Sequence, residues 1–133
     1  MPTTLQAILR VEVTGAGTES ATHALDAEAY DKIHITVPTG SPGTATVEVQ
    51  PGGAGQAQLL LLTASRYPLD GTGAAELTYE VDGSGTAIDF DAPLLLVGSG
   101  ALSLLGAVNT IDLSNSSDAD LTVTLLAGRA ATP

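Results

Sequence analysis

Short runs in which apolar and polar residues alternate recur along most of the chain. Leu5 to Val13 (LQAILRVEV) alternates in part, with Ile8, Val11 and Val13 as apolar anchors. Ile33, Ile35 and Val37 alternate with His34 and Thr36; Ala45, Val47 and Val49 with Thr46 and Glu48; Leu77, Tyr79 and Val81 with Thr78 and Glu80. Ile88 and Phe90 flank Asp89, and Leu121, Val123 and Leu125 alternate with Thr122 and Thr124. A side-chain period of two in short stretches rich in β-branched residues predicts half-buried strands. Turn residues separate them: TGAGT at 14–18, PTGSPG at 38–43, PGGAG at 51–55, DGTG at 70–73, DGSG at 82–85 and GSG at 98–100. Strands punctuated this often predict an all-β, single-domain antiparallel sandwich, jelly-roll-like, over residues 1–133. Residues 21–32 (ATHALDAEAYDK) are the one departure, read either as a helix with Thr22 as N-cap or as an irregular loop.

Between Asp91 and Asp112 the chain carries no charge, over a length that could span a bilayer, about 20 residues. Pro93, Gly98-Ser99-Gly100, Gly106 and Asn109 interrupt it, and neither flank supplies Lys or Arg anchors. The expectation is two short strands, Leu94–Val97 and Leu102–Leu105, joined at Gly-Ser-Gly. Apolar on both faces, they need cover on both faces, as does Leu59–Leu62.

Composition sharpens this demand. Of 133 residues, 44% are hydrophobic and 14% charged, against about a quarter charged in an ordinary soluble domain. Part of the surface is therefore expected to face other protein. The expected interface comprises Leu59, Leu60, Leu61, Leu62, Leu94, Leu95, Leu96, Leu102, Leu104 and Leu105, with Arg129 as an anchor to a neighbouring carboxylate. The ends, 1–4 and 128–133, are short and poor in large apolar residues, and read as arms that contribute to assembly and not to folding.

A net charge of −11 argues against binding nucleic acid or anionic membranes. The absence of cysteine excludes disulfides and thiolate chemistry, and the N-terminus lacks the pattern of a signal peptide. Candidate chemistry is sparse. His23 and His34 are too few for a metal site. Asp89 and Asp91, two apart, could share a strand face as acid and base or as calcium ligands, but read more simply as a solvated strand end. DLSNSSDAD at 112–120 lacks the EF-hand pattern and suggests a turn with Asx hydrogen bonds. TGAGTES at 14–20 lacks the ending of a phosphate loop, and Ser65 and Ser99 lack a nucleophile elbow. No catalytic residue, metal or cofactor is expected. One Phe, three Tyr and no Trp weaken a sugar-stacking surface.

From Leu59 to Pro133 the segments LLLLTASRYP, LTYEVDG, DAPLLLVGSGALSLLG and IDLSNSSDADLTVTLLAGRAATP resemble small structural proteins of tailed bacteriophages. The resemblance implies a virion component, made in the bacterial host cytoplasm: a capsid decoration or cement protein, trimeric or pentameric, partnered by itself and by the major capsid or another virion protein. It implies a structural role, not an enzyme. A carbohydrate-binding or adhesin-like module is the alternative.

Overall fold

The period-two apolar positions become the facing sides of two sheets. A computed structural model describes residues 3–27, 29–40, 43–49, 57–82, 85–105 and 110–129. Strands β1 (Thr3–Val13) and β2 (Gly17–Ala27) pair only with each other, as a two-stranded ribbon. Eight strands follow among the described residues: β3 (Ala29–Val37), β4 (Gly43–Glu48), β5 (Ala57–Ala64), β6 (Leu77–Val81), β7 (Ile88–Asp89), β8 (Leu94–Val97), β9 (Thr110–Asn115) and β10 (Leu121–Arg129). They form two four-stranded sheets, β3-β10-β5-β8 and β4-β9-β6-β7, with every pairing antiparallel. The fold is an all-β sandwich.

Alternation decides which side chains fill it. In β10, Leu121, Val123, Leu125 and Ala127 are fully buried while Thr122 is exposed. In β9, Ile111 and Leu113 turn inward; in β6, Leu77, Tyr79 and Val81 do. These residues join Val37, Val47, Leu60, Leu62 and Phe90 in one core contributed by both sheets. Each such side chain contributes about 1.5–3 kcal/mol by leaving water.

Polar groups fix the sandwich where strands end. Asn115 is fully buried at the end of β9. Its amide donates to the carbonyls of Val37 (3.1 Å) and Ala119 (2.9 Å), and its Oδ1 accepts from the Ser117 amide and hydroxyl. The 112–120 segment therefore divides: its first four residues belong to β9, and an Asx turn follows. Asp70, Asp82 and Asp120 likewise accept backbone amides of Thr72, Thr110 and Thr39. Asp70 thus closes a local turn, while Asp82 and Asp120 join segments distant in sequence. Gly43 opens β4 where the chain passes close to the Pro38 carbonyl, and a Cβ there would overlap it.

Three sequence expectations are corrected. Residues 21–32 form neither helix nor loop; they complete β2 and begin β3, with residue 28 outside the described residues. Pairing with β1 and β10, and the packing of Ile33, Ile35 and Val37 in β3, override local propensity. Leu102–Leu105 is not a strand: Gly98, at φ +92°, redirects the chain into a helical turn α1 (Ser99–Leu102) and a 3₁₀ turn (Ser103–Leu105). The Leu102 amide closes that turn on the Gly98 carbonyl at 3.1 Å. Nor are the ends simple arms. Thr3 and Thr4 belong to β1, and Gly128 and Arg129 to β10; residues 1, 2 and 130–133 lie outside the described residues.

Candidate interaction site

The leucine-rich strands β5 and β8 are paired edge to edge, and their register sorts the side chains by face. Leu60 lies opposite Leu96 and Leu62 opposite Leu94, and all four belong to or pack on the core. Leu59 lies opposite Val97 and Leu61 opposite Leu95, on the other face of the sheet. Leu126 of β10, opposite Leu61, extends that outer set. Of these, Leu61, Leu95, Val97 and Leu126 remain half-buried, while Leu59 is buried. The expected interface therefore divides. Leu60, Leu62, Leu94 and Leu96 are used by the core, as is Leu102 on α1, and Leu105 packs against it. Leu59, Leu61 and Leu95 face outward, and Leu104 is 81% exposed.

Over this outer face stands the ribbon. Its chain reversal uses Gly15 at φ +78°, third residue of a turn closed by the Ala16 amide on the Val13 carbonyl (2.9 Å). TGAGTES is thus a hairpin turn with the start of β2. Cross-strand register assigns Leu5, Ala7, Leu9, Val11 and Val13 to one face, together with Leu25, His23, Ala21 and Glu19. Ile8 occupies the opposite face with Gln6, Arg10 and Glu12, so it does not share a surface with Val11 and Val13. Midway along the ribbon, Ala7, Leu9, Ala21 and His23 line, with Leu95 and Val97, an apolar crevice of about 260 Å³. Every residue from Ile8 to Ala24 is exposed, including Ile8 at 66%, Leu9 at 52%, and Val11 and Val13 at 51%, and from Arg10 to Ser20 the ribbon stands clear of the crevice. The odd-numbered apolar positions of LQAILRVEV carried this signal. Burial within the monomer was the wrong inference from it, because a two-stranded ribbon buries neither face by itself.

Arg129 is engaged within the chain. One guanidinium nitrogen donates to Asp31 at 2.5 Å and the other to the Val49 carbonyl at 3.0 Å. Its side chain is only 15% exposed. The guanidinium expected as an anchor to a neighbour instead ties β10 to β3 and to the end of β4.

The remaining chemical candidates are dispersed. Asp89 ends β7 and Asp91 lies beyond it; both are exposed, and Phe90 between them turns into the core beside Tyr67 and Tyr79, at ring-centroid distances of 5.5 and 5.8 Å. Ile88 and Phe90 therefore do not continue one strand face. His34 is exposed and meets the Thr124 hydroxyl at 2.9 Å. His23 lines the ribbon crevice. The Ser65 hydroxyl accepts the Thr122 amide at 3.1 Å, and Ser99 begins α1. Among the described residues no cluster of three or more His, Asp or Glu is arranged to hold a metal ion. No helix among them is long and apolar enough to cross a membrane. Hydrogen bonds from the Thr72 hydroxyl and the Thr72 and Ala74 amides hold the Asp70 carboxyl below its ordinary range. Burial pushes the Tyr79 phenol up.

Compared with known protein families, with curated proteins and with solved structures, the chain matches none of them.

Proposed function

We propose that this chain is a non-enzymatic structural protein of a virion, a decoration or cement protein that self-associates as a trimer or pentamer and binds the shell through the major capsid or a related protein. One observation carries the reading: the outer face of β5 and β8 presents Leu59, Leu61, Leu95 and Val97 and no charge, and a ribbon with one exposed apolar face adjoins it, on a chain of net charge −11. Such a surface is costly to leave in water and suits contact with protein. It does not suit a phosphate backbone or an anionic bilayer.

The strand order supports the same reading. Numbered one to eight from β3 to β10, the strands of the two sheets run 1-8-3-6 and 2-7-4-5. We infer that this is the double Greek-key winding of a jelly roll, an architecture of viral capsid domains and also of lectins. The lectin alternative needs exposed aromatic platforms. Tyr67, Tyr79 and Phe90 are committed to a shared cluster, and only Tyr30, 52% exposed, is available.

The test is sedimentation of the tagged chain expressed alongside the virus that encodes it. Comigration with particles, with label on the shell in electron micrographs, is the expected result. A chain that stays at the top of the gradient and is retained by immobilised glycans would establish the carbohydrate-binding alternative instead.

A further inference from the structure

We infer that the β1–β2 ribbon is an intersubunit arm whose apolar face lies on the outer face of the β3-β10-β5-β8 sheet of a second copy of this chain. The inference rests on the self-associating role proposed above and names the surface that performs it. Two antiparallel strands alone are marginal in water; a third strand or a packed face is needed for independent stability. Here each strand has eleven residues, and the distal half is exposed on both faces. A ribbon of that length must gain its packing from something outside the protomer.

The apolar face identifies the occupant. Leu9, Val11 and Val13 follow one another along it, and Glu19 is the only formal charge opposite them. The outer sheet face offers a small apolar surface to meet it, Leu61 and Leu126 side by side, bordered by the uncharged Thr63 and Thr124 and by His34. Lys32 stands opposite Leu126 at its margin. Of the four basic side chains, Arg10, Arg66 and Arg129 are in ion pairs, and Lys32 has none among the described residues. An acid on the arm and an unpaired lysine on the sheet make the two surfaces complementary across copies. This matters because two chains of charge −11 repel everywhere else.

The free end of the ribbon, about half of its ~37 Å length and ~10 Å wide, buries on the order of 400 Å² with the neighbour it reaches, counting both surfaces, and a trimer or pentamer repeats that contact around a closed ring. The middle of the arm already lies beside Leu95 and Val97 of its own sheet, so the apolar face of the free end continues from that sheet's outer face.

Self-association is measured by light scattering at about 100 μM for the full chain and for the Val11→Asp, Val13→Asp double variant. Both positions are exposed in the protomer, so the β signature and melting of the dissociated variant should match the wild-type fold. The expected result is an oligomer for the wild type and a single-chain mass for the variant. An oligomer that survives both substitutions overturns the arm but leaves self-association standing. A wild-type chain that remains single overturns the homotypic arm, while comigration with particles still decides the virion reading separately. Because the chain has no cysteine, a mixture of Val11→Cys and Leu126→Cys chains reports the contact directly. Mixed disulfides under mild oxidation support the arm-on-sheet geometry. Val11→Cys chains that cross-link only to each other overturn it in favour of arms packed on arms.

Discussion

Asn115 and Arg129 show how single polar groups hold an apolar sandwich in register. Asn115 satisfies the buried Val37 carbonyl, the part-buried Ala119 carbonyl and Ser117 at once, so Asn115→Ala strands several partners, the Val37 carbonyl among them away from water. The expected cost is about 2–3 kcal/mol, read as a melting temperature lower by roughly 10 °C. Asn115→Asp should not rescue it, because a carboxylate cannot donate to Val37 and Ala119. Arg129→Met removes the hydrogen bond to Val49 and the pair with Asp31. Asp31 is 46% exposed, so solvent screening discounts the ion pair, and about 1–2 kcal/mol is expected in all. The cost should appear in the isolated protomer by thermal denaturation. Unchanged melting with weakened assembly would return Arg129 to the intersubunit role that its sequence position suggested. The sequence could show that Arg129 was a scarce cation; it could not show that Asp31, almost a hundred residues away, would be brought beside it.

At the scale of the element, alternation is legible where one face meets the core and the other meets water. Leu121 to Leu125 and Leu77 to Val81 are of this kind, and their strands lie where the period places them. The uniformly apolar runs Leu59–Leu62 and Leu94–Val97 are legible as strands needing cover on both sides, but not as to which side chain faces which cover. Register settles that, and register depends on partners distant in sequence. Segments 21–32 and 102–105 depart from the pattern for the same reason: alanine-rich and leucine-rich stretches have no decisive period, and pairing or a positive-φ glycine decides them. Adjacent leucines in β5 therefore make a sharp comparison. Leu60→Ala, at a fully buried core position, should lower protomer stability by about 3–4 kcal/mol. Leu61→Ala, half-buried on the outer face, should lower it by no more than about 1 kcal/mol and weaken self-association instead. Equal losses of stability in urea titrations of the two dissociated variants would mean that the outer face is an ordinary part of the core.

For the whole molecule, charge and apolar surface oppose each other. Fifteen acidic residues against four basic ones give self-repulsion within each protomer and between protomers. The surfaces available for association, the ribbon face and the outer sheet face, gain chiefly by leaving water, a contribution that ordinary salt does not screen. Only the one Glu19–Lys32 attraction across copies would be weakened by ions. From ~10 mM to ~150 mM salt the screening length falls from about 30 Å to about 8 Å, which removes most of the long-range repulsion while leaving contacts intact. Assembly should therefore strengthen, not weaken, as sodium chloride rises over this range, and the protomer's melting temperature should rise with it. Sedimentation velocity across a salt series measures the first and thermal denaturation of the Val11→Asp, Val13→Asp variant the second. Sucrose at matched osmolality serves as the control for exclusion from the surface, since it screens no charge. Dissociation on adding salt would mean that opposite charges, not the apolar ribbon and sheet, hold the copies together.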